Sequence, residues 1–390
     1  MDLTEILAHL SIPRPSQSQA LEETVKYIQA LLKGWGIQYA VLDFSLRPYM
    51  QLIVGSIILL LAILLFILLC RKKSIAALIV AVVIPFLLIA EFELFIPVVS
   101  GIIQKAGQDI IIINNVPNPV RELVFAAHLD SKTDFWDHIQ RARVYGLIPI
   151  AVVLGLILAV FTLFSRKYAS LKKKAVTAVV ITLAGIVVVY WGLVFLGFGG
   201  YIFLPPDRQS YGSVDDGASV AALLAVSRDI HDGKVALGNS RVTILLTSGE
   251  ETNLQGADAY VHALFYKGAR PDLPLSLVDL ELVGQNGPMI YWKKDGEFLI
   301  FYNADPGLVT RIGEAWKAES GKDLEPGPTY STDDAQRFMA AGIPAVTISN
   351  SGEPGLGVTG FHSIADNPAR LNVDNLKLMI RVLERYIESY

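Results

Sequence analysis

Cysteine is nearly absent: Cys70 alone stands in 390 residues, which excludes an intrachain disulfide framework and a cysteine-based metal site. Charge is scarce too. Lys and Arg total 33, Asp and Glu 37, giving 18% charged residues and a net charge of −4. No basic stripe lies outside the flanks of the apolar runs, so nucleic acid is not an expected partner. Internal repeats and low-complexity linkers are also missing. The first 46 residues are mixed and polar, without a basic segment leading into an apolar core, so no signal peptide is expected.

Apolar residues are what the chain has in excess, at 52% with a mean hydropathy of +0.45. A soluble domain holds about 45–50% by a broader count that includes glycine. The excess is concentrated in four runs, 50–70, 74–90, 145–165 and 175–205. About 20 apolar residues cross a bilayer as a helix, and these runs are apolar all round, so four spans in two hairpins are expected. The hairpins would occupy 49–103 and 145–204. Their turns carry Arg71, Lys72 and Lys73, and then Arg166, Lys167, Lys172, Lys173 and Lys174. Short basic loops stay in the cytoplasm, which would put everything else outside the cell membrane. Arg47, Lys105, Arg141 and Arg143, flanking the spans on the other side, pull against that orientation. Glu91 and Glu93 are expected just beyond the second span, and Phe135-Trp136 at the membrane interface before the third.

Each hairpin crosses twice, so the pieces 1–48, 104–144 and 205–390 emerge on one side and can form one interrupted domain. Those pieces read as α/β. A helical period runs through 16–33, with Leu21, Val25, Ile28 and Leu32 on one face and Gly34 and Gly36 at its end. Short β-rich runs stand at 39–42, 110–113, 123–127, 241–247, 275–282 and 345–348. Helices are expected over 214–230, through 257–265 and over 372–390. This alternation implies a doubly wound, mostly parallel sheet.

The chemistry-bearing residues lie at the ends of these elements. The run Leu123-Val-Phe-Ala-Ala-His-Leu-Asp130 delivers His128 and Asp130 at the carboxyl end of a buried strand, where open α/β sheets build their sites. Asp215-Asp216-Gly217, Gly249-Glu250-Glu251, Asp279-Leu280-Glu281 and Phe361-His362-Ser363 follow. Taken singly, an acidic pair is more often a helix cap or a solvated turn. Together they supply imidazole nitrogens and carboxylate oxygens in the number that two zinc ions sharing one carboxylate require. His9, His138, His231 and His262 belong to no such pattern.

The order His128, Asp215, Glu250-Glu251, Glu281, His362 resembles the two-zinc aminopeptidase family that includes bacterial leucyl aminopeptidase and glutamate carboxypeptidase II. The likeness covers all three non-membrane pieces, including the opening Ile12-Pro-Arg-Pro-Ser-Gln-Ser18. It implies two Zn(2+) ions held by His128, Asp215 (bridging), Glu251, Glu281 and His362. It also implies Asp130 orienting His128, Glu250 as general base and Tyr330 stabilising an oxyanion. Glu281 stands where the family pattern has Asp, with Asp279 two residues away as the substitute. Ala335 replaces the histidine of the family's Ser-Asp-His. The implied activity is an exopeptidase, an aminopeptidase acting on peptides. Alternatives are a binding ectodomain on the same fold, a glutaminyl-cyclase-like enzyme with one zinc, and a transporter. The spans offer few charges for a solute pathway.

Overall fold

The computed structural model describes residues 3–136, 138–165, 173–265, 271–327, 332–352 and 360–390. It divides into two compact units, one of 1–48, 104–133 and 206–390, the other of 49–103 and 134–205.

The first unit is built on an eight-stranded sheet with a small ribbon beside it. Its strands, in chain order, are β1 (Ala40–Leu46), β2 (Lys105–Asn114), β3 (Arg121–His128), β4 (Ser240–Thr247), β5 (Leu275–Leu280), β6 (Met289–Trp292), the ribbon pair β7 (Lys294–Asp295) and β8 (Tyr302–Asn303), β9 (Glu325–Gly327) and β10 (Ala345–Asn350). The sheet order is β1-β2-β4-β3-β5-β10-β6-β9. Its centre, β4-β3-β5-β10, is parallel, whereas β2 is antiparallel to β1 and β4, and β6 to β10. The expectation of a mostly parallel α/β sheet holds as a mixed sheet. The antiparallel edge follows from connectivity, because β1 and β2 flank one long insertion rather than a crossover helix.

Both faces of the centre are buried, which explains the unbroken apolar runs. On β3, Leu123, Phe125 and Ala127 point into a core with helices Leu3–Leu10, Gln19–Trp35, Ala218–His231, Pro306–Ser320 and Val373–Glu388. Val124 and Ala126 point the other way, toward Tyr260, Val261 and Phe338 of helices Gln255–Leu264 and Ala335–Ala340. Ser18 caps the second helix through Leu21 N, and Gly36 ends it at φ 77.

The second unit contains four helices long and apolar enough to cross a membrane: Met50–Cys70, Ser74–Glu93, Gln140–Phe164 and Lys174–Phe203. Large apolar side chains cover its surface, with Leu60, Ile75, Ile150 and Val189 each more than 60% exposed. The stretch 134–144, expected with the globular pieces, groups here instead. A buried Arg141–Asp134 ion pair and the Trp136 indole, donating to the Leu193 carbonyl at 3.2 Å, hold it against the unit's own helices. Glu91 and Glu93 lie at the end of helix Ser74–Glu93 in a π-helical turn, both buried. The Glu91 carboxylate accepts from the backbone amides of Val99 and Ser100 and from Ser100 Oγ. It caps the loop leaving the helix.

Candidate metal centre

Three strand ends and one irregular turn meet at the carboxyl edge of the sheet, joined by His362 from the loop before the last helix. His128 is the last residue of β3, and Glu250 and Glu251 follow the end of β4. Glu281 follows β5, and Asp215 precedes helix Ala218–His231. The helix expected over 214–230 begins only at Ala218. Asp215 (φ −110, ψ 86) and Asp216 (φ −131, ψ 31) are non-helical, and the peptide between them is cis. The non-helical φ and ψ of these two residues let the adjacent carboxylates face different neighbours. Arg14 holds the turn from behind, donating to the carbonyls of Leu129, Ile12, Tyr211 and Gly212.

The two oxygens of Asp215 face two imidazoles. Oδ1 lies 3.1 Å from His128 Nε2, and Oδ2 lies 3.2 Å from His362 Nε2. Glu281 Oε2 is 3.5 Å from His128 Nε2, and Glu251 Oε1 is 3.1 Å from His362 Nε2. Glu250 Oε2 stands farther off, 3.9 Å from His128 Nε2. The five residues expected to hold metal converge, with Asp215 between the two imidazoles. Glu281 rather than Asp279 faces His128: Asp279 Oδ2 accepts from Ala335 N, at the start of the helix beyond. Tyr330 lies outside the described residues.

Asp130 works differently from the expectation. Its carboxylate sits 3.8 Å from His128 Nδ1, while its backbone carbonyl is the nearer partner of that nitrogen, at 3.0 Å. The carboxylate instead accepts from the amides of Gly249 and Glu250 and from Ser16 Oγ, which fixes the turn presenting Glu250 and Glu251. Gly249 needs its freedom there. Its φ is 77, and an added Cβ would stand 2.5 Å from Leu46 Cδ1.

Burial dominates the electrostatics. It pushes the Glu250 carboxyl well above its ordinary range, helped by repulsion from Glu251 and Glu281, and raises Glu281 to about 8. Burial also works on Asp215, but the two imidazoles outweigh it and hold that carboxyl below the ordinary range. For His128, burial pulls downward, yet Glu250, Asp215 and Glu281 keep the imidazole well above its ordinary value. Crowded buried carboxylates of this kind are relieved by a cation. His128 Nε2 and Asp215 Oδ1 are buried and make no hydrogen bond among the described residues, as befits atoms aimed at a shared ion. His128, Asp215 and Glu251 place ligand atoms within 4.8 Å of one another, as do His128, Asp216 and Glu281. Nitrogen and carboxylate oxygen without sulfur suit zinc.

Residue 362 carries a left-handed backbone (φ 54), as does Leu282 (φ 64) beside Glu281. Non-glycine residues held there cost of order 1–3 kcal/mol and cluster at functional sites. Three supporting residues were not expected from sequence. The Asp216 carboxylate accepts from the amides of His128 and Leu282 and from Ser219 Oγ, tying β3, β5 and the helix together. Asp366 accepts from Val214 N and Ser210 Oγ. Arg14 is the third. Asp216 was visible only as the second half of an acidic pair, Arg14 only as part of the opening turn, and Asp366 carried no signal.

Residues 199–387 match the model of Peptidase family M28. The resemblance to the zinc aminopeptidases holds. Similar solved structures include a Zn-dependent exopeptidase from Parabacteroides distasonis (15% identity, TM-score 0.55, covering 100% of this chain and 96% of that one). An aminopeptidase from Aneurinibacillus sp. strain AM-1 is similar at 11% identity and TM-score 0.55, over 99% and 92%. So is the glutaminyl cyclase from Bacteroides thetaiotaomicron bound to N-acetylhistamine, at 14% and 0.55, over 100% and 95%. At these identities the likeness to the solved structures is one of fold. No curated protein matches. The family match and the donor set together support a zinc metallopeptidase.

Proposed function

We propose that this chain is a membrane-anchored, two-zinc aminopeptidase. The observation that carries the reading is Asp215, whose two oxygens stand 3.1 and 3.2 Å from the imidazoles of His128 and His362. A carboxylate between two nitrogen ligands is what a shared-metal centre needs. His128, Asp215 and Glu281 would hold one ion, and Asp215, Glu251 and His362 the other. Zinc there would supply Lewis acidity toward the scissile carbonyl and lower the pKa of a nucleophilic water to about 7.

Glu250 is the base. Its carboxylate borders the cluster without entering either ligand set, so it can take the water's proton and return it to the departing amine. Asp130 keeps the backbone of Glu250 fixed through two amide hydrogen bonds. The oxyanion role is assigned to Tyr330 by family pattern. The four apolar helices with lipid-facing side chains make the anchor, and the basic turns favour a peptidase unit outside the cell membrane.

A second reading is glutaminyl cyclisation with one zinc, favoured by the glutaminyl cyclase neighbour, which fits as closely as the exopeptidase. One experiment separates them: metal analysis of the purified chain beside a panel of aminoacyl, N-blocked and N-terminal glutaminyl peptides. Two zincs with hydrolysis of free-amine substrates is the expected result. One zinc with ring closure of glutaminyl peptides would replace the aminopeptidase by the cyclase, and no turnover of any substrate would favour a binding ectodomain. Orientation is read separately, in a Cys70→Ser background. A cysteine at 170 should resist an impermeant thiol reagent in intact cells while one at Gly321 reacts, and reversed labelling would put the site in the cytoplasm.

A further inference from the structure

The chain passes between the globular and helical units at four points, 48/49, 103/104, 133/134 and 205/206. On the globular unit all four belong to one edge of the sheet. Leu46 at the end of β1 pairs with Lys105 at the start of β2, and β2 runs antiparallel to β4. β4 in turn is parallel to β3, with Thr247 opposite His128. The end of β1, the start of β2 and the end of β3 therefore share the carboxyl edge. The fourth connection returns there as well, since Ser210 N donates to Thr133 Oγ1 at 2.9 Å. That is the edge of the metal cluster.

The first connection is also short. Leu46 lies against the turn that presents Glu250, where a Cβ added to Gly249 would stand 2.5 Å from its Cδ1. The apolar helix Met50–Cys70 begins four residues after Leu46. Four residues span at most about 14 Å, whereas a domain of this size is about 45 Å across. Apolar side chains stand beside the cluster too: Ile12, Tyr211 and Ile364 are all exposed. The carbonyls of Ile12 and Tyr211 accept from the same Arg14 Nη1, and Tyr211 N donates to the Asp366 carbonyl. Ile364 is two residues from His362.

Resting on the aminopeptidase reading and its four-span anchor, we infer that the substrates are peptides held in the same bilayer by an acyl chain or an apolar segment. Their free N-terminus would stand a few residues from the lipid surface. Connections that all leave from the edge of the cluster keep the centre at that surface, where a membrane-held peptide is met at a raised effective concentration. Exposed apolar side chains at the same edge suit a lipid surface. The bond broken is the first peptide bond: water adds across it, and the N-terminal residue leaves as a free amino acid.

The test uses the full-length, zinc-loaded chain in phosphatidylcholine vesicles, with peptides that share one N-terminal sequence beginning with leucine. One peptide is free. The others carry a polar spacer of about 6 or about 30 residues before a palmitoyl chain or a transmembrane run of about 20 apolar residues. For the short spacer, kcat/KM should exceed that of the free peptide by about tenfold or more, with no gain from the long one. The anchor that shows the gain tells an acyl chain from a transmembrane segment. Equal rates for anchored and free peptides would overturn the inference and leave the aminopeptidase standing. So would a short spacer that blocks cleavage while the long one restores it. If no peptide is hydrolysed, even in detergent, the aminopeptidase falls and takes this inference with it. A second readout needs no turnover. In a Cys70→Ser background, a fluorophore on Ile364→Cys should be quenched by nitroxide-labelled lipid. One on Pro117→Cys, between β2 and β3 at the opposite edge, should not. Equal quenching at both, or stronger quenching at 117, would overturn the inference.

Discussion

The two units solve opposite problems with opposite surfaces. In the globular unit, apolar strands turn inward on both faces of the sheet, and charged groups are brought together at its carboxyl edge, where burial strains them. In the helical unit, the apolar side chains turn outward, and its buried charges serve the backbone or one another, as Glu91 and the Arg141–Asp134 pair do. Buried polarity therefore means different things in the two places. In one it is concentrated and under-compensated, which marks a site. In the other it is matched locally, which marks architecture.

The sharpest way to test that contrast is at the base. Glu250→Gln should lower turnover by at least ~10²–10⁴, the range of general-base catalysis, while zinc content stays near wild type. If Glu250→Gln loses a zinc and Glu251→Gln does not, base and ligand exchange places.

The second test compares two exposed leucines. Leu60 in helix Met50–Cys70 is 64% exposed and Leu299 in the globular unit 58%. Were both surfaces in water, lysine at either would cost within about 0.5 kcal/mol. If lipid covers Leu60, Leu60→Lys should cost about 2.5–3.5 kcal/mol of insertion, read as the inserted fraction in microsomes, while Leu299→Lys changes little. Equal behaviour would erase the distinction between the units.

Third, Glu281→Ala should weaken one zinc selectively, because Asp215, Glu251 and His362 remain for the other. Asp279→Ala should keep both ions and cost about 1 kcal/mol of stability or less, since it removes one of the two carboxylates that accept from Ala335 N, the other being Asp333. Zinc titration into the metal-free variants decides it: two-metal binding by Glu281→Ala, with loss in Asp279→Ala, reverses the assignment.

The smallest effect is a pH slope. Burial raises the folded-state values of Glu281 to about 8, Asp334 to about 7 and Asp366 to about 6. All three lie above the ordinary carboxyl values, so between about pH 4 and 8 the folded state binds more protons than the unfolded one. Stability of the metal-free protein should therefore be fullest in acid and fall as pH rises through that window. Melts of chelator-treated protein from pH 5 to 8.5 should show the decline, and saturating zinc should flatten it. A metal-free protein that gains stability with pH would contradict the crowded-carboxylate picture.

The sequence by itself determined the four apolar helices, the parallel strands at the centre of the sheet and the identity of the histidines and carboxylates that converge at its edge. These are local quantities: run length, period, and residue type at a strand end. It missed β6, β9 and the helices Pro306–Ser320 and Ala335–Ala340, which are short or weakly periodic and owe their form to neighbours. Only the tertiary structure decided that Glu281 rather than Asp279 faces His128, because the choice depends on where the chain turns after β5, at Leu282 with its left-handed φ of 64. It likewise decided that Asp130 holds the Gly249–Glu250 turn more closely than it holds His128. Arg14, Asp216 and Asp366 became legible only in three dimensions, since each acts on backbone groups far away in the chain. A hydrogen bond between Arg14 and Gly212 spans 198 residues, and no spacing rule reaches that far.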